Sequence, residues 1–387
     1  MTYLPAAAQE LIAKCRWFLQ SRRKLILATS VTLVLTLRAL KFINRPKVDL
    51  HARFGGPNRV SSSINVYLVF IEHMVSMIVV NLLRIDHIRG VGSALGRSSQ
   101  EVQQALRDTI VGSGHASLLS IFPWMTRDRF PWNLNPFIKK LHLGIKRLNE
   151  LCDEIASGRQ AERQAGVQAS RRDLLDKLLH LDQEDLRGNI ITFFIAGSDT
   201  SAMSVAWCLY YLCLNPCIQN QARAEVDALG RDPETMKDVD ELPLVECCVL
   251  EALRLQPPSV MLLNECITDT SLKGKTIPSG TLVVTLLRKA MVQESQGGTN
   301  FKPERWLTHD GSAVDRPRTR EHLAFGDGPR QCPGQRMALI EATTIISLIL
   351  RHFDNLKLKN SPESVRGDLK FSYGPKNFEL VMFPRHH

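Results

Sequence analysis

A ten-residue segment around Cys332 carries the most specific pattern in this sequence of 387 residues. Residues 325–334 read Phe-Gly-Asp-Gly-Pro-Arg-Gln-Cys-Pro-Gly, which matches Phe-x-x-Gly-x-Arg-x-Cys-x-Gly. Five fixed positions would occur by chance in about one of ten thousand chains of this length. A cysteine in this setting can be held as a thiolate ligand, because the glycines let the backbone turn tightly. A helix that opens at Pro333 and Gly334 would also point its positive end at the sulfur.

A second polar group interrupts an apolar stretch. Residues 196–201 read Ala-Gly-Ser-Asp-Thr-Ser and lie inside residues 182–214, which we predict to form one long apolar helix. An Asp-Thr pair in such a helix costs free energy unless it is used. Ala196 and Thr200 are four residues apart, so they share one helix face.

An acid and a base, Glu251 and Arg254, lie three residues apart on a helix that should stop before Pro257-Pro258. At this spacing the two side chains meet on one face. Such a pair is common and usually means a surface ion pair. Here Arg305 follows 51 residues after Arg254, inside Phe-Lys-Pro-Glu-Arg-Trp.

In type and order these segments resemble those of the cytochromes P-450, a family of haem-thiolate enzymes, and the resemblance covers about residues 136–387. It implies haem b as cofactor, with Cys332 as the axial ligand of the iron. It also assigns the residues around the ring: Arg330 pairs with a propionate, Phe325 packs against the porphyrin, the loop turns at Gly326, Gly328 and Gly334, and room for the ring is left by Ala196 and Gly197.

The resemblance also implies roles for the other polar residues. Thr200 would hydrogen-bond oxygen during its activation, and Asp199 would relay protons from solvent. The three residues Glu251, Arg254 and Arg305 would form a buried triad that holds the haem loop in place.

Each assignment has a plainer alternative. Cys332 could be a small buried apolar residue, like other cysteines of this chain. The Thr200 hydroxyl could simply bond the carbonyl four residues earlier, and Asp199 could belong to a salt bridge.

The net charge of +10 is concentrated at the N-terminus, where residues 1–60 hold eleven Lys or Arg and two acids. The remaining residues carry nearly equal numbers of basic and acidic side chains, which argues against a basic domain that binds nucleic acid. Basic residues flank the uncharged stretch 25–37, which indicates a membrane anchor within residues 1–50. It is short for a bilayer span, so a buried helix is the alternative. Nine scattered cysteines without Cys-x-x-Cys argue against a disulfide scaffold or a zinc ribbon.

The predicted fold is mainly α with a small β component, a cytochrome P-450-like helical fold that is incomplete at its N-terminal side. Helices are expected from Pro136 onward, strands within 260–285 and a hairpin over 368–384. We predict a haem-binding core over 136–387 and leave 51–135 as a divergent or truncated segment. The sequence has no Trp-x-x-x-Arg, and it carries Asn264 and Glu265 where relatives often place a base.

The function implied by the resemblance is a monooxygenase that inserts one atom of O2 into a small apolar substrate. Electrons would come from a separate NAD(P)H-dependent reductase, since no dinucleotide fingerprint occurs here. The implied location is the endoplasmic reticulum membrane, with the catalytic domain in the cytosol. Two alternatives stay open: an inactive or impaired haem-binding fragment, and a membrane-anchored interaction protein without haem.

Overall fold

The described part of the chain is mainly helical, as predicted. A computed structural model describes residues 99–118, 135–166, 174–293, 298–369 and 371–385. In chain order its helices are α1 (Ser99–Leu118), α2 (Pro136–Gln164), α3 (Leu174–Leu178), α4 (Gln183–Leu214), α5 (Pro216–Ala228), α6 (Met236–Asp240), α7 (Pro243–Leu255), α8 (Leu287–Met291) and α9 (Gln335–His352).

The strands are short and pair antiparallel, two at a time. The pairs are β1 (Met261–Glu265) with β4 (Leu282–Leu286), β2 (Thr270–Leu272) with β3 (Lys275–Ile277), β5 (Phe353–Leu358) with β8 (Leu380–Pro384), and β6 (Arg366–Leu369) with β7 (Tyr373–Lys376). This small β component confirms the predicted fold class.

The single hairpin predicted over 368–384 is wrong in its second half. Strands β6 and β7 do form a hairpin, but β8 pairs with β5, directly after α9. Leu356 and Leu380 are both buried in the core, so pairing β5 with β8 places apolar side chains from each strand inside.

Local capping explains where the long helices begin. Asn135 accepts the backbone N–H of Phe137 at 2.9 Å, and Pro136 occupies the first turn of α2. Asp182 accepts the N–H of Asp185 at 2.8 Å at the start of α4. These caps lie next to the predicted boundaries because they are set by neighbours in sequence.

The core is built around α7, in which residues 245–255 are all buried. The C-terminal half of α4 and one face of α9 pack against it. The first turn of α7 is capped from another helix: both Glu225 carboxylate oxygens accept backbone N–H groups, from Leu244 and Val245, at 2.9 Å each. Burial raises the pKa of Glu225 above its ordinary value, and these two bonds oppose that shift.

Helix α1 was not predicted, because residues 86–135 have weak apolar periodicity. Its closest approach to α2 is made at small residues, while Leu106 is buried in the core. A Cβ on Gly112 would lie 2.4 Å from the Cβ of Leu141, so only glycine allows this approach. Buried Ala105 contributes a second small contact residue.

The predicted anchor within residues 1–50 lies outside the described residues, as does 51–134 other than α1. Among the described helices, α4 alone is long and apolar enough to cross a membrane by length and composition. Of the most apolar 18 residues of this helix, 61% are buried inside the protein.

Candidate active site

The Cys332 loop is a turn held by its own backbone. Gly326 and Gly328 have φ values of 75° and 72°, in the left-handed region that favours glycine. The backbone N–H of Cys332 donates to the carbonyl of Phe325 at 2.9 Å and closes the loop. Helix α9 starts three residues later, at Gln335, with Gly334 at its N-cap, so the cysteine lies at a helix N-terminus.

The Cys332 side chain is exposed, which separates it from most other cysteines in the described ranges. Cys217 is also exposed, whereas the remaining described cysteines are buried or half-buried. Burial raises the pKa of the Cys152 and Cys213 thiols to about 12, so both stay protonated. Exposure therefore favours the view of Cys332 as a ligand over its alternative as a buried apolar residue.

The groups beside Cys332 differ in polarity. The Arg330 guanidinium is exposed and has neither an ion pair nor a hydrogen bond with any described residue. Phe325 is half-buried and packs against the core. Leu262 of β1 lies over Gly326, where a Cβ would be 3.7 Å from its Cδ1. The loop thus presents a sulfur and a free cation beside an apolar support.

The central segment of α4 presents small residues to the exterior. Ala196 is exposed, and Gly197 and Thr200 are half-buried. The Thr200 hydroxyl donates to the carbonyl of Ala196 at 2.6 Å, one helical turn earlier. This is the local bond that the plainer alternative anticipated, and it also fixes the hydroxyl on the face of Ala196.

Asp199 lies on a different side of α4 and is only 3% exposed. Its carboxylate accepts a hydrogen bond from the hydroxyl of Ser372, at the turn between β6 and β7. The structure therefore does not place Asp199 and Thr200 on one surface. They are adjacent in sequence, and successive helix residues are rotated by about 100°.

A buried carboxyl links α4 to α9. Glu341 is 1% exposed, and the hydroxyl of Ser201 donates to its Oε2 at 3.5 Å. Its Oε1 has no hydrogen-bond partner among the described residues. Burial raises the pKa of Glu341 to about 7, and the Ser201 bond only partly opposes this.

The three predicted triad residues are brought together inside the protein. Arg254 donates to both carboxylate oxygens of Glu251 at 2.9 Å, and Arg305 donates at 3.1 Å. Glu251 is 0% exposed and Arg254 is 2% exposed, so the alternative of a surface ion pair does not apply. Arg254 also donates to three backbone carbonyls, those of Met291, Gly298 and Asn300, at 3.0 to 3.1 Å.

Two further donors complete the shell of Glu251. The indole N–H of Trp306 donates to its Oε2 at 2.9 Å, and the backbone N–H of Lys302 donates to its Oε1 at 3.0 Å. Trp306 also lies against His322, with ring centroids 5.1 Å apart. His322 in turn lies 6.4 Å from the ring of Phe325. A continuous set of contacts therefore runs from the triad to the Cys332 loop.

The family model described as Cytochrome P-450 matches residues 19–382 of this chain. The chain belongs to the cytochrome P-450 family. Among curated relatives, it is 35% identical over 210 residues to cytochrome P-450 4d2 of Drosophila melanogaster, a match that covers 50% of this chain and 41% of that protein. A 2-hydroxyisoflavanone synthase of Glycyrrhiza uralensis is 28% identical over 282 residues, covering 66% and 53%.

A crystal structure of a cytochrome P-450 shares the fold of this chain. Its TM-score is 0.64 at 22% sequence identity, and the match covers 84% of this chain and 69% of the other. The chain spans about half the length of the curated cytochromes P-450 that it matches.

Members of this P-450 family bind haem, and the residues present here fit that group. A haem-thiolate site needs a sulfur ligand, a cation for a propionate and apolar support for the ring. Exposed Cys332, half-buried Phe325 and Arg330, which has no side-chain partner among the described residues, offer these three properties within eight residues. Exposed Ala196 on α4 adds a surface without a large side chain. Asn264 and Glu265 lie in the stretch where relatives often have a basic residue. Both are exposed on β1.

The sequence analysis did not predict four residues that contact the segments of the candidate site. Trp306 directly follows Arg305, so its indole N–H was a readable candidate for the triad. His322 lies three residues before Phe325, so its position in the sequence also made it a candidate. Ser372 and Glu341 gave no local signal, because their partners lie 173 and 140 residues away.

Proposed function

We propose that this chain is a haem-thiolate monooxygenase that inserts one atom of O2 into a small apolar organic substrate. The observation that carries the proposal is the exposed Cys332 at the N-terminus of α9, beside the unpaired Arg330. When bound, haem with a thiolate ligand supplies the activation of O2 for which this family is known.

The residues of the chain would divide the remaining tasks. Cys332 would hold the iron, and the helix N-terminus would stabilise negative charge on its sulfur. Arg330 would bind a propionate, and Phe325 would support the ring. Gly326 and Gly328 would keep the loop in its tight conformation.

Proton delivery would fall to α4. The Thr200 hydroxyl, fixed on the face of Ala196, would donate a hydrogen bond to oxygen, and the donated proton would be replaced from Asp199 through water, since the two side chains lie on different sides of α4. The triad of Glu251, Arg254 and Arg305 touches no reacting atom. Its role would be to hold the chain before the Cys332 loop, through Trp306 and His322.

The partners follow from the proposed reaction. Two electrons per turnover would come from a separate NAD(P)H-dependent reductase. We propose that residues 1–50 anchor the protein in the endoplasmic reticulum membrane, with the described part in the cytosol.

The deciding experiment is the carbon monoxide difference spectrum of the reduced protein, followed by turnover with a reductase and a panel of lipids. A thiolate-type, red-shifted band with substrate oxidation is the expected result. A red-shifted band without turnover would support the second candidate, a haem-binding but inactive fragment. Absence of any haem band would contradict both.

A further inference from the structure

A hairpin from the end of the chain lies along the oxygen-activating helix. Asp199, Met203 and Trp207 are spaced four residues apart and form one stripe on α4. Each contacts one of the three consecutive residues Ser372, Tyr373 and Gly374. These contacts fix the position of the hairpin along α4, next to Asp199 and Thr200.

The contacts that fix this register are close and specific. The indole N–H of Trp207 donates to the carbonyl of Tyr373 at 3.1 Å, and the two rings stack with centroids 5.7 Å apart. A Cβ on Gly374 would lie 1.9 Å from the sulfur of Met203, so any larger residue there would displace the Met203 side chain. The N–H of Tyr373 donates to the carbonyl of Pro258 at 2.8 Å.

Ser372 is therefore held at a set position over α4, where its hydroxyl donates to Oδ2 of Asp199. Both side chains are at most 5% exposed. A carboxylate with a fixed hydroxyl donor keeps a fixed direction, because rotation would break a hydrogen bond that burial prevents water from replacing. Thr200 is the next residue, and its hydroxyl is fixed on the other side.

We propose that Ser372 is the positioning residue for proton delivery: it sets the direction of the Asp199 carboxylate, and so the rate at which Asp199 passes a proton toward Thr200. The inference rests on the proposed function, since it concerns the same reaction. Because Asp199 and Thr200 lie on different sides of α4, a water molecule would carry the proton: it takes one proton from Asp199 and gives one to the Thr200 hydroxyl oxygen as that hydroxyl gives up its own, and Asp199 is then reprotonated from solvent. Ser372 gains and loses nothing in the step.

The test compares Ser372→Ala with Ser372→Thr, which keeps a hydroxyl, and with Ser198→Ala as a matched control. Ser198 is buried in the same helix, and its hydroxyl bonds only to backbone carbonyls of Phe194 and Ile195. For Ser372→Ala we expect the product formed per NADPH to fall about tenfold, with a matching release of hydrogen peroxide. This fall is smaller than the roughly hundredfold loss expected when a general acid is removed altogether. The solvent deuterium isotope effect on product formation should rise. Ser372→Thr should restore both readouts, and Ser198→Ala should leave them unchanged.

A second readout does not need turnover. Urea unfolding of Ser372→Ala, Asp199→Asn and the double variant should show coupling: the double variant should lose less stability than the two single variants together. Additive losses would overturn the link between the two residues. If the native chain turns over and Ser372→Ala still couples all of its NADPH use to product, the inference is overturned but the proposed function stands. A native chain without a thiolate-type spectrum would overturn the proposed function, and the inference with it.

Discussion

The imidazole of His322 donates from Nε2 to the carbonyl oxygen of Leu250 at 2.8 Å. Its Nδ1 accepts the backbone N–H of Ala324 at 3.3 Å. One neutral tautomer satisfies both bonds, whereas a proton on Nδ1 would point at another N–H. This single side chain therefore links the start of the Cys332 loop to the buried helix α7, and it does so only while uncharged.

Acid should loosen the Cys332 loop through His322. Burial lowers its pKa to about 4 in the folded protein, against about 6.5 when unfolded, so the unfolded chain binds the additional proton between these values. This contribution is fully present above pH 6.5 and is lost as the pH falls to about 4. At about 1.4 kcal/mol per pKa unit, the total is about 3 kcal/mol.

The measurement is the free energy of unfolding in urea between pH 4 and pH 7. His322→Gln should be less stable at pH 7 but should show a flatter acid limb than the native chain. An unchanged acid slope in this variant would mean that His322 is not the titrating group.

Glu341 should act in the opposite direction. Its pKa is raised to about 7 from about 4.5, so the folded protein binds the additional proton in this window. Its contribution is greatest below pH 4.5 and is lost as the pH rises to about 7, again by about 3 kcal/mol. We expect Glu341→Gln to be more stable than the native chain at pH 8, because the variant buries no charge.

Between pH 4.5 and 6.5, His322 makes the free energy of unfolding rise with pH, whereas Glu341 makes it fall. Glu341→Gln should therefore steepen the acid dependence caused by His322. The matched control is Glu379→Gln, since the Glu379 side chain is 41% exposed and pairs with Lys359 at 2.9 Å. An equal response of both variants would show that burial of Glu341 is not the cause.

Arg254→Ala should remove folded protein rather than slow the enzyme. Removing one partner of a buried pair costs about 3–5 kcal/mol, because Glu251 and three backbone carbonyls lose their donor. Lys359→Ala breaks an exposed pair and should cost at most about 1 kcal/mol. Soluble yield and the urea midpoint measure both. Stable, haem-loaded Arg254→Ala protein would contradict a structural role for the triad.

Cys332→Ala should abolish the red-shifted band of the reduced protein with carbon monoxide. Cys217→Ala is the matched control, since it removes the other exposed cysteine in the described part of the chain. The control should keep the band at full intensity. A band that survives in Cys332→Ala would show that the sulfur ligand is elsewhere.

Thr200→Ala should keep haem and keep consuming NADPH, but should release oxygen as hydrogen peroxide rather than as product. Its hydroxyl bonds only along its own helix, to Ala196 in the preceding turn, so the fold should tolerate the change. Thr200→Ser retains the hydroxyl and should retain coupling. The ratio of peroxide to product per NADPH measures the effect, and an unchanged ratio would remove Thr200 from the mechanism.

What the sequence determined by itself is local. The Cys332 loop, the facing of Glu251 and Arg254 and the capped starts of α2 and α4 all depend on residues within a few positions of one another. Helical and turn geometry fix such spacings before any tertiary contact forms. The predominance of helix, and the family, could be inferred from these segments for the same reason.

Only the tertiary structure decided which buried polar atoms meet. That Asp199 bonds Ser372, that Glu341 faces Ser201 and that β8 pairs with β5 depends on segments far apart in the chain. Burial removes water as a partner, so each polar atom must find a donor or acceptor in whatever element packs against it. Spacing along the sequence carries no information about that element. Helix α1 was missed for a related reason: its packing depends on the close approach at Gly112, a fit of shapes rather than an apolar period.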